Sequence, residues 1–406
     1  MNAKEIMEIF RDTAYVRMGG SPEERKTAEY LMDKISQMGL EAQLQEFQVP
    51  MSDIQEAQLL ADGKAIACKG YLCAGNADVE APLYYLRNLD EYSLRQCRGK
   101  IVMIDGYMRY WTYHDLFDNG AVGFITYDGN VNFADRDIDQ RELRSYVSQG
   151  KIIPGVNINA KDAVALVEQD VKTVRLTLKQ EETTGPSWNV LLTLPGEVPE
   201  YITFTAHYDS TSLSQGAYDN MSGCIGLLSM AEYFSKNPPH RYGLRFLWCG
   251  SEERGLLGSK DYCSREENIS DCVLNINLDM IGCTMGKFIA VATAEEKACN
   301  YLSYMALEQG ISLETSQGVY SSDSTPFADK GVPAITFARS APPNTASYHN
   351  SYDTMAVMKG DQMVEDIVFI TTFADRMANA VLCPVKREIP DNMKEKLDIY
   401  LCRKRK

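Results

Sequence analysis

Tyr201-Ile202-Thr203-Phe204-Thr205-Ala206-His207-Tyr208-Asp209-Ser210 opens as a β-branched and aromatic run and closes on a histidine and an aspartate. The first five residues read as a buried strand, with polar side chains placed just beyond its end. A stretch rich in small residues and Leu, Ser222 to Phe234, follows as a helix. The order then repeats. Leu244-Arg245-Phe246-Leu247-Trp248, Val273 to Leu278 and Ala334-Ile335-Thr336-Phe337 read as strands, and Glu295 to Gln309 and Gln362 to Leu382 as helices. Alternation of this kind predicts an α/β fold with a mostly parallel central sheet flanked by helices.

Upstream, Ser21-Pro22-Glu23-Glu24 has the pattern of a helix start: Ser21 as cap, Pro22 at the first turn, and Glu24 completing a capping box. Ala28, Leu31, Ile35 and Met38 recur at helical spacing, so a helix is expected over about 22–38, then a strand over 41–49. From 50 to 182 the texture changes to short apolar runs between turn residues. Lys100 to Ile104, Ala121 to Tyr127, Val156 to Ile158 and Val174 to Leu178 read as strands, Lys161 to Val167 as a helix, and the polar stretch 130–150 as a surface loop. The expected organisation is one domain over 1–49 and 183–406, with a smaller β-rich domain, 50–182, inserted into it.

The 406 residues carry 41 Lys+Arg against 56 Asp+Glu, a net charge of −15. A surface that negative repels phosphate backbones and anionic lipid, which argues against nucleic-acid and membrane partners. No window approaches the roughly 18 apolar residues of a membrane span. The eleven cysteines are odd in number and include no Cys-x-x-Cys pair, so they read as reduced thiols and a cytoplasmic location is expected.

The chemistry sits at strand ends. His207 and Asp209 follow the first strand, and Tyr218-Asp219-Asn220 precedes the Ser222 helix. Glu252 and Glu253 lie past the Leu244 strand, Asp279 past the Val273 strand, and His349 in the loop beyond the Ala334 strand. In open α/β sheets the carboxyl ends of the strands form the ligand crevice, so these segments are expected to converge. Singly, each has an ordinary reading as a cap or a solvated acid. Gathered and buried, Asp209, Asp219, Glu252, Glu253 and Asp279 would repel one another unless cations balanced them. Histidine and carboxylate without cysteine suits a catalytic zinc site, and a dinuclear site can hold a hydroxide while polarising a carbonyl. Asp209 could orient the His207 ring through its second nitrogen. Of the adjacent acids Glu252 and Glu253, one can bind metal while the other acts as general base.

This ordered set resembles the co-catalytic zinc exopeptidases that include bacterial leucyl aminopeptidase, aminopeptidase Y and the glutamate carboxypeptidase relatives. Gly19-Gly20-Ser21-Pro22-Glu23-Glu24 is similar to that family's opening segment. Residues 50–182 resemble its inserted protease-associated domain, through Arg98-Gly99-Lys100-Ile101-Val102, Asn119-Gly120-Ala121-Val122-Gly123 and Ile153-Pro154-Gly155-Val156-Asn157-Ile158. The resemblance implies two zinc ions, with cobalt or manganese also able to fill such a site. It implies Asp219 bridging both ions, His207 and Asp279 completing one, Glu253 and His349 the other, and Glu252 as the general base. Asp209 would orient His207, and Asp323 would support the site. Tyr348 would stand on the oxyanion side, with Tyr320 as runner-up.

The expected activity is therefore an aminopeptidase acting on peptide substrates. A carboxypeptidase for acidic dipeptides would need a cationic pocket, for which Arg254, Arg339 and Lys330 are nearest the motifs. A single-zinc glutaminyl cyclase shares the fold, but Leu278-Asp279-Met280-Ile281-Gly282 favours two metals. A non-catalytic binding protein would have lost ligands, whereas this chain keeps all five and the base. The inserted domain reads either as a lid that narrows the cleft or as a binding module.

Overall fold

The computed structural model describes residues 1–133 and 137–406. The chain divides into two compact units, one of Met1–Phe47 with Pro186–Lys404 and Lys406, the other of Gln48–Gly185 with Arg405.

In the larger unit the sheet centres on four parallel strands. Tyr201–His207 pairs with Gly243–Cys249 on one side and Cys272–Leu278 on the other, and Cys272–Leu278 pairs with Ala334–Ser340. The end of Thr173–Leu194 joins antiparallel at one edge. Lys287–Thr293 joins antiparallel at the other and carries the short parallel strand Glu314–Gln317. These last two were not anticipated. The sheet is nevertheless mostly parallel and flanked by helices, as the alternation of elements predicts.

Period-two alternation splits each strand between two faces. Ile202, Phe204 and Ala206 enter a large core with Ala28, Leu31 and Ile35 of the helix Pro22–Gln37, Leu227 and Leu228 of Ser222–Lys236, and Phe369 and Phe373 of Gly360–Ala378. The opposite face carries a smaller apolar cluster, Leu247, Cys249, Tyr262 and Phe327, and a buried polar ladder. There the Thr205 hydroxyl donates to Asn277 Oδ1 at 2.7 Å, and Asn277 Nδ2 donates to Ser322 Oγ at 3.0 Å. His207 lies in register with this polar face, two residues beyond Thr205.

Several local readings need correction. Helix Pro22–Gln37 is capped by Ser21, but Glu24 does not close a capping box. Its carboxylate accepts instead from Gly20 N–H and from residues far along the chain, because those buried donors outcompete a local bond to the cap. The strand expected over 41–49 continues through Ala42–Ala61. The last long helix ends at Ala378, short of Leu382.

The smaller unit has its own core around Ile101, Val102, Phe124, Ile125, Val156 and Leu176. Ile101–Asp105, Gly123–Asp128 and Gly155–Asn159 run parallel, and Ala77–Tyr85 pairs with the first of them and with the start of Thr173–Leu194. The stretch expected to be a surface loop, 130–150, is partly buried. Arg141 pairs with Asp128 at 3.0 Å, Leu143 and Val147 enter the core, and Ser145–Ser148 is helical. Residues 134–136 of that stretch lie outside the described residues. Among the described residues no helix is long and apolar enough to cross a membrane.

Helix Ser222–Lys236 packs against strand Cys272–Leu278 through a glycine. A Cβ on Gly223 would lie 2.2 Å from the Leu278 carbonyl oxygen. Gly223→Ala should force the helix off the strand and lower stability by about 1–3 kcal/mol. Urea unfolding followed by circular dichroism measures this, with Ser229→Ala on the same helix as control.

Candidate metal centre

Five side chains expected to share a site do come together, each from the end of a different element. His207 ends its strand, Asp219 lies in the turn Ala217–Met221 before its helix, and Glu253 and Asp279 follow their strands. His349 sits in the loop after Ala334–Ser340 with a left-handed φ of +60°. Among the described residues two groups have the makings of a metal site: His207, Asp219 and Asp279, and Asp219, Glu253 and His349. They share Asp219.

The geometry of Asp219 is divided between them. Its Oδ1 lies 3.1 Å from His207 Nε2, and its Oδ2 lies 3.1 Å from His349 Nε2. Asp279 Oδ1 is 3.7 Å from His207 Nε2, and Glu253 Oε2 is 3.0 Å from His349 Nε2. Two ligands bound to one tetrahedral zinc at ~2.0–2.1 Å would stand about 3.3 Å apart, so these separations fit a shared ion in each group. Asp279 Oδ1 is buried and has no hydrogen-bond partner among the described residues, as a metal-directed oxygen would. The donor set, imidazole and carboxylate without thiolate, matches a catalytic zinc pair.

Without cations, the protein's own charges shift these groups, and a bound metal would compete with the histidine protons. Burial opposes a charged ring at His207, but Glu252 and then Asp209, Asp219 and Asp279 outweigh it and hold its pKa well above the usual value. His349 is raised in the same way, by Glu253 and Asp219 against burial. Burial works against the charge on Asp219, yet the two histidines hold it far below the usual carboxylate range. Glu252 goes the other way: burial raises it strongly, and the neighbouring Glu253, Asp323 and Asp279 add to the rise against His207. Glu252 belongs to neither metal group, with Oε2 3.9 Å from His207 Nε2.

Buried acceptors and donors clasp the loops that carry these groups. Asp209 Oδ1 accepts from Glu252 N–H at 2.9 Å and Oδ2 from Glu253 N–H at 3.1 Å. Its separation from His207 Nδ1 is 3.5 Å, so its firmer bonds go to the paired glutamates. Asp353 accepts from Tyr218 N–H at 2.8 Å and Asp219 N–H at 3.2 Å. Asn220 donates to Leu278 O and accepts from Met280 N–H, spanning the backbone on either side of Asp279. The fully buried Arg17 donates to the carbonyls of Tyr208, Gln215 and Gly216, fixing the segment between His207 and Asp219.

Asp353, Asn220, Arg17 and this use of Asp209 were missed from the sequence. Asp353 and Asn220 stand one to four residues from one of the five gathered side chains, which is a usable signal; Arg17 offers none. Asp323 is fully buried beneath the site, and its carboxyl is raised to about 7, by burial first and then by Asp209 and Asp279 against His207 and Ser259. Tyr348 is 51% exposed, its ring edge-on to His349 at 4.8 Å. Tyr320 is more enclosed, and its phenol is pushed well up by burial and then by the charges of Asp279 and Asp219.

Residues 189–368, which contain all five of these side chains, match Peptidase family M28. Aminopeptidase YwaD of Bacillus subtilis (strain 168) is 31% identical over 345 residues, 79% of this chain and 71% of that protein. Leucine aminopeptidase 2 of Arthroderma otae is 26% identical over 301 residues, 69% of this chain, and the chain spans 59% of that relative's length. The solved structure of the zinc aminopeptidase BSAP from Bacillus subtilis superposes with a TM-score of 0.76 at 25% identity, covering 96% of this chain and 98% of that one. The fold and the site thus define a metallo-exopeptidase. The chain belongs to peptidase family M28.

Asp209→Asn should put an amide N–H where a backbone N–H now donates. It is expected to weaken metal affinity about 10–100-fold, the usual cost of losing a partner behind the ligands. Competition titration with a zinc chelator measures it.

Proposed function

We propose that the protein is a zinc-dependent aminopeptidase that removes N-terminal residues from peptides. The observation that carries this reading is the placement of Asp219 between two histidines, each with its own acid, while Glu252 stays outside both groups. His207 and Asp279 would hold one zinc ion, Glu253 and His349 the other, and Asp219 would bridge them. Bound there, the pair supplies Lewis acidity and lowers the pKa of a water molecule.

The chain's own residues do the rest. Glu252, beside Glu253 and outside both candidate metal groups, is placed to accept a proton from the attacking water. It returns that proton to the leaving amine as the peptide bond breaks. Asp209 keeps Glu252 and Glu253 at their separate tasks by holding both backbone N–H groups. Tyr348 would face the substrate carbonyl from beside His349, with the more enclosed Tyr320 as the second candidate. Asp323 would support the site from below without binding metal.

The curated relatives named above are aminopeptidases, which supports release from the N-terminus. The cations a carboxypeptidase would need are otherwise placed. Arg339 is paired with Asp366, Arg254 is buried with Nη1 3.3 Å from Gly19 O, and Lys330 is exposed. We assign the inserted unit as protease-associated-like on its four parallel strands, and the location as cytoplasmic on the eleven cysteines, all free thiols.

Three measurements test the reading. Glu252→Gln should cut kcat by about 10²–10⁴-fold, the span of general-base catalysis, with metal content per chain unchanged; retained activity would reject Glu252 as the base. Asp219→Ala should lose both ions together by mass-spectrometric metal counting, and loss of one alone would reject the bridge. Incubating metal-loaded protein with a mixed peptide library should release residues stepwise from N-termini, and trimming from C-termini would reject the polarity.

A further inference from the structure

Ser251 immediately precedes the proposed base and is fully buried with φ of +52°. That left-handed conformation disfavours any residue with a side chain, by about 1–2 kcal/mol, so something must hold it. The holding group comes from the other end of the chain. Glu24 Oε1 accepts from Ser251 N–H at 2.9 Å, from the Ser251 hydroxyl at 3.2 Å and from the Ser187 hydroxyl at 2.8 Å. Its Oε2 accepts from Gly20 N–H at 2.7 Å. The Ser187 and Ser251 hydroxyls also meet at 2.9 Å.

The Gly19-Gly20-Ser21-Pro22-Glu23-Glu24 segment is shaped to deliver this carboxylate. A Cβ on Gly19 would lie 2.3 Å from Ser251 Oγ and 2.9 Å from Ser251 Cα, so only glycine admits the close approach. Both carboxylate oxygens face a backbone N–H. An amide has one oxygen, so a glutamine here would set an N–H against an N–H on one side or the other. This explains why the position holds an acid despite the cost of burying one.

We propose that Glu24 is a positioning residue for hydrolysis: by clasping Ser251 in its left-handed conformation it sets the direction in which Glu252 leaves the backbone. The inference rests on the assignment of Glu252 as the base. It concerns a residue outside 189–368, the part of the chain that matches the family. Asp209 anchors the segment from the Glu252 and Glu253 N–H groups, and Glu24 anchors it from the residue before.

Release of the segment should move the base by a fraction of an ångström to an ångström. Misplacement on that scale costs up to about 100-fold in rate. Glu24→Gln is therefore expected to lower kcat about 10–100-fold with KM within twofold and two metal ions per chain retained. The decisive variant is the double, Glu24→Gln with Ser251→Gly. Glycine takes positive φ without help, so the double should regain most of the lost kcat. A role confined to docking the N-terminal helix would give no such rescue.

Full activity in Glu24→Gln, or no rescue by Ser251→Gly in a folded double variant, would overturn the proposal. Should Glu24→Gln not fold, Ser187→Ala removes one hydroxyl from the same clasp and is expected to lower kcat severalfold at constant KM. Unchanged kcat there would overturn the proposal equally. The Glu252→Gln variant run alongside separates the two readings. If it stays active, the base assignment is at fault, and if it is dead while Glu24→Gln is fully active, only the clasp is.

Discussion

Like charges gathered in a small, largely enclosed space constrain everything else in this molecule. Asp219, Glu252, Glu253 and Asp279 meet in a largely enclosed space, and neighbouring carboxylates there oppose one another's ionisation. The arrangement answers this with Asp219. Each of its oxygens faces a different imidazole, so one carboxylate satisfies two histidines and sets Asp279 and Glu253 in separate groups, with Glu252 in neither. The same burial that would be costly for unpaired charges makes them effective toward divalent cations.

Holding that arrangement falls to groups that never need to meet a substrate. Apart from His207, which ends its strand, the candidate ligands come from turns and loops, some made in backbone conformations with little intrinsic preference: Ser251 at +52°, Met280 at +64° and His349 at +60°. Such positions store strain and persist only where the surroundings over-determine them. Asp209, Asp353 and Glu24 supply that determination as acceptors for backbone N–H groups, and Asn220 and Arg17 as donors to carbonyls. The sheet beneath adds its polar ladder, Thr205 to Asn277 to Ser322, so that the strand ends stand on hydrogen bonds as well as on apolar packing.

Much of this could be read from the residues. The apolar runs before His207, Glu252 and Asp279 have the composition of buried parallel strands, and the rule that ligands collect at strand carboxyl ends did the rest. What could not be read follows from distance along the chain. Ser21 and Glu24 have the spacing of a capping box, and nothing nearby in sequence says that Ser187 and Ser251 will claim the glutamate. Arg141 and Asp128 pair inside what reads as a polar surface loop, because burial there depends on a fold and not on hydropathy. Lys287–Thr293 has strand composition but joins antiparallel at an edge, a pairing that alternation of strands and helices does not specify.

The bond from Glu24 to Ser251 links residues 227 positions apart. Closing a loop of that length costs entropy that local contacts do not. The sheet strands and their helices can assemble from nearer neighbours, and the inserted unit has a core of its own. The conformation of Ser251, next to Glu252, is thus tied to a contact far away along the chain. On the roles proposed for Glu24 and Glu252, a chain with its sheet already formed would be a poor catalyst until its first few dozen residues dock.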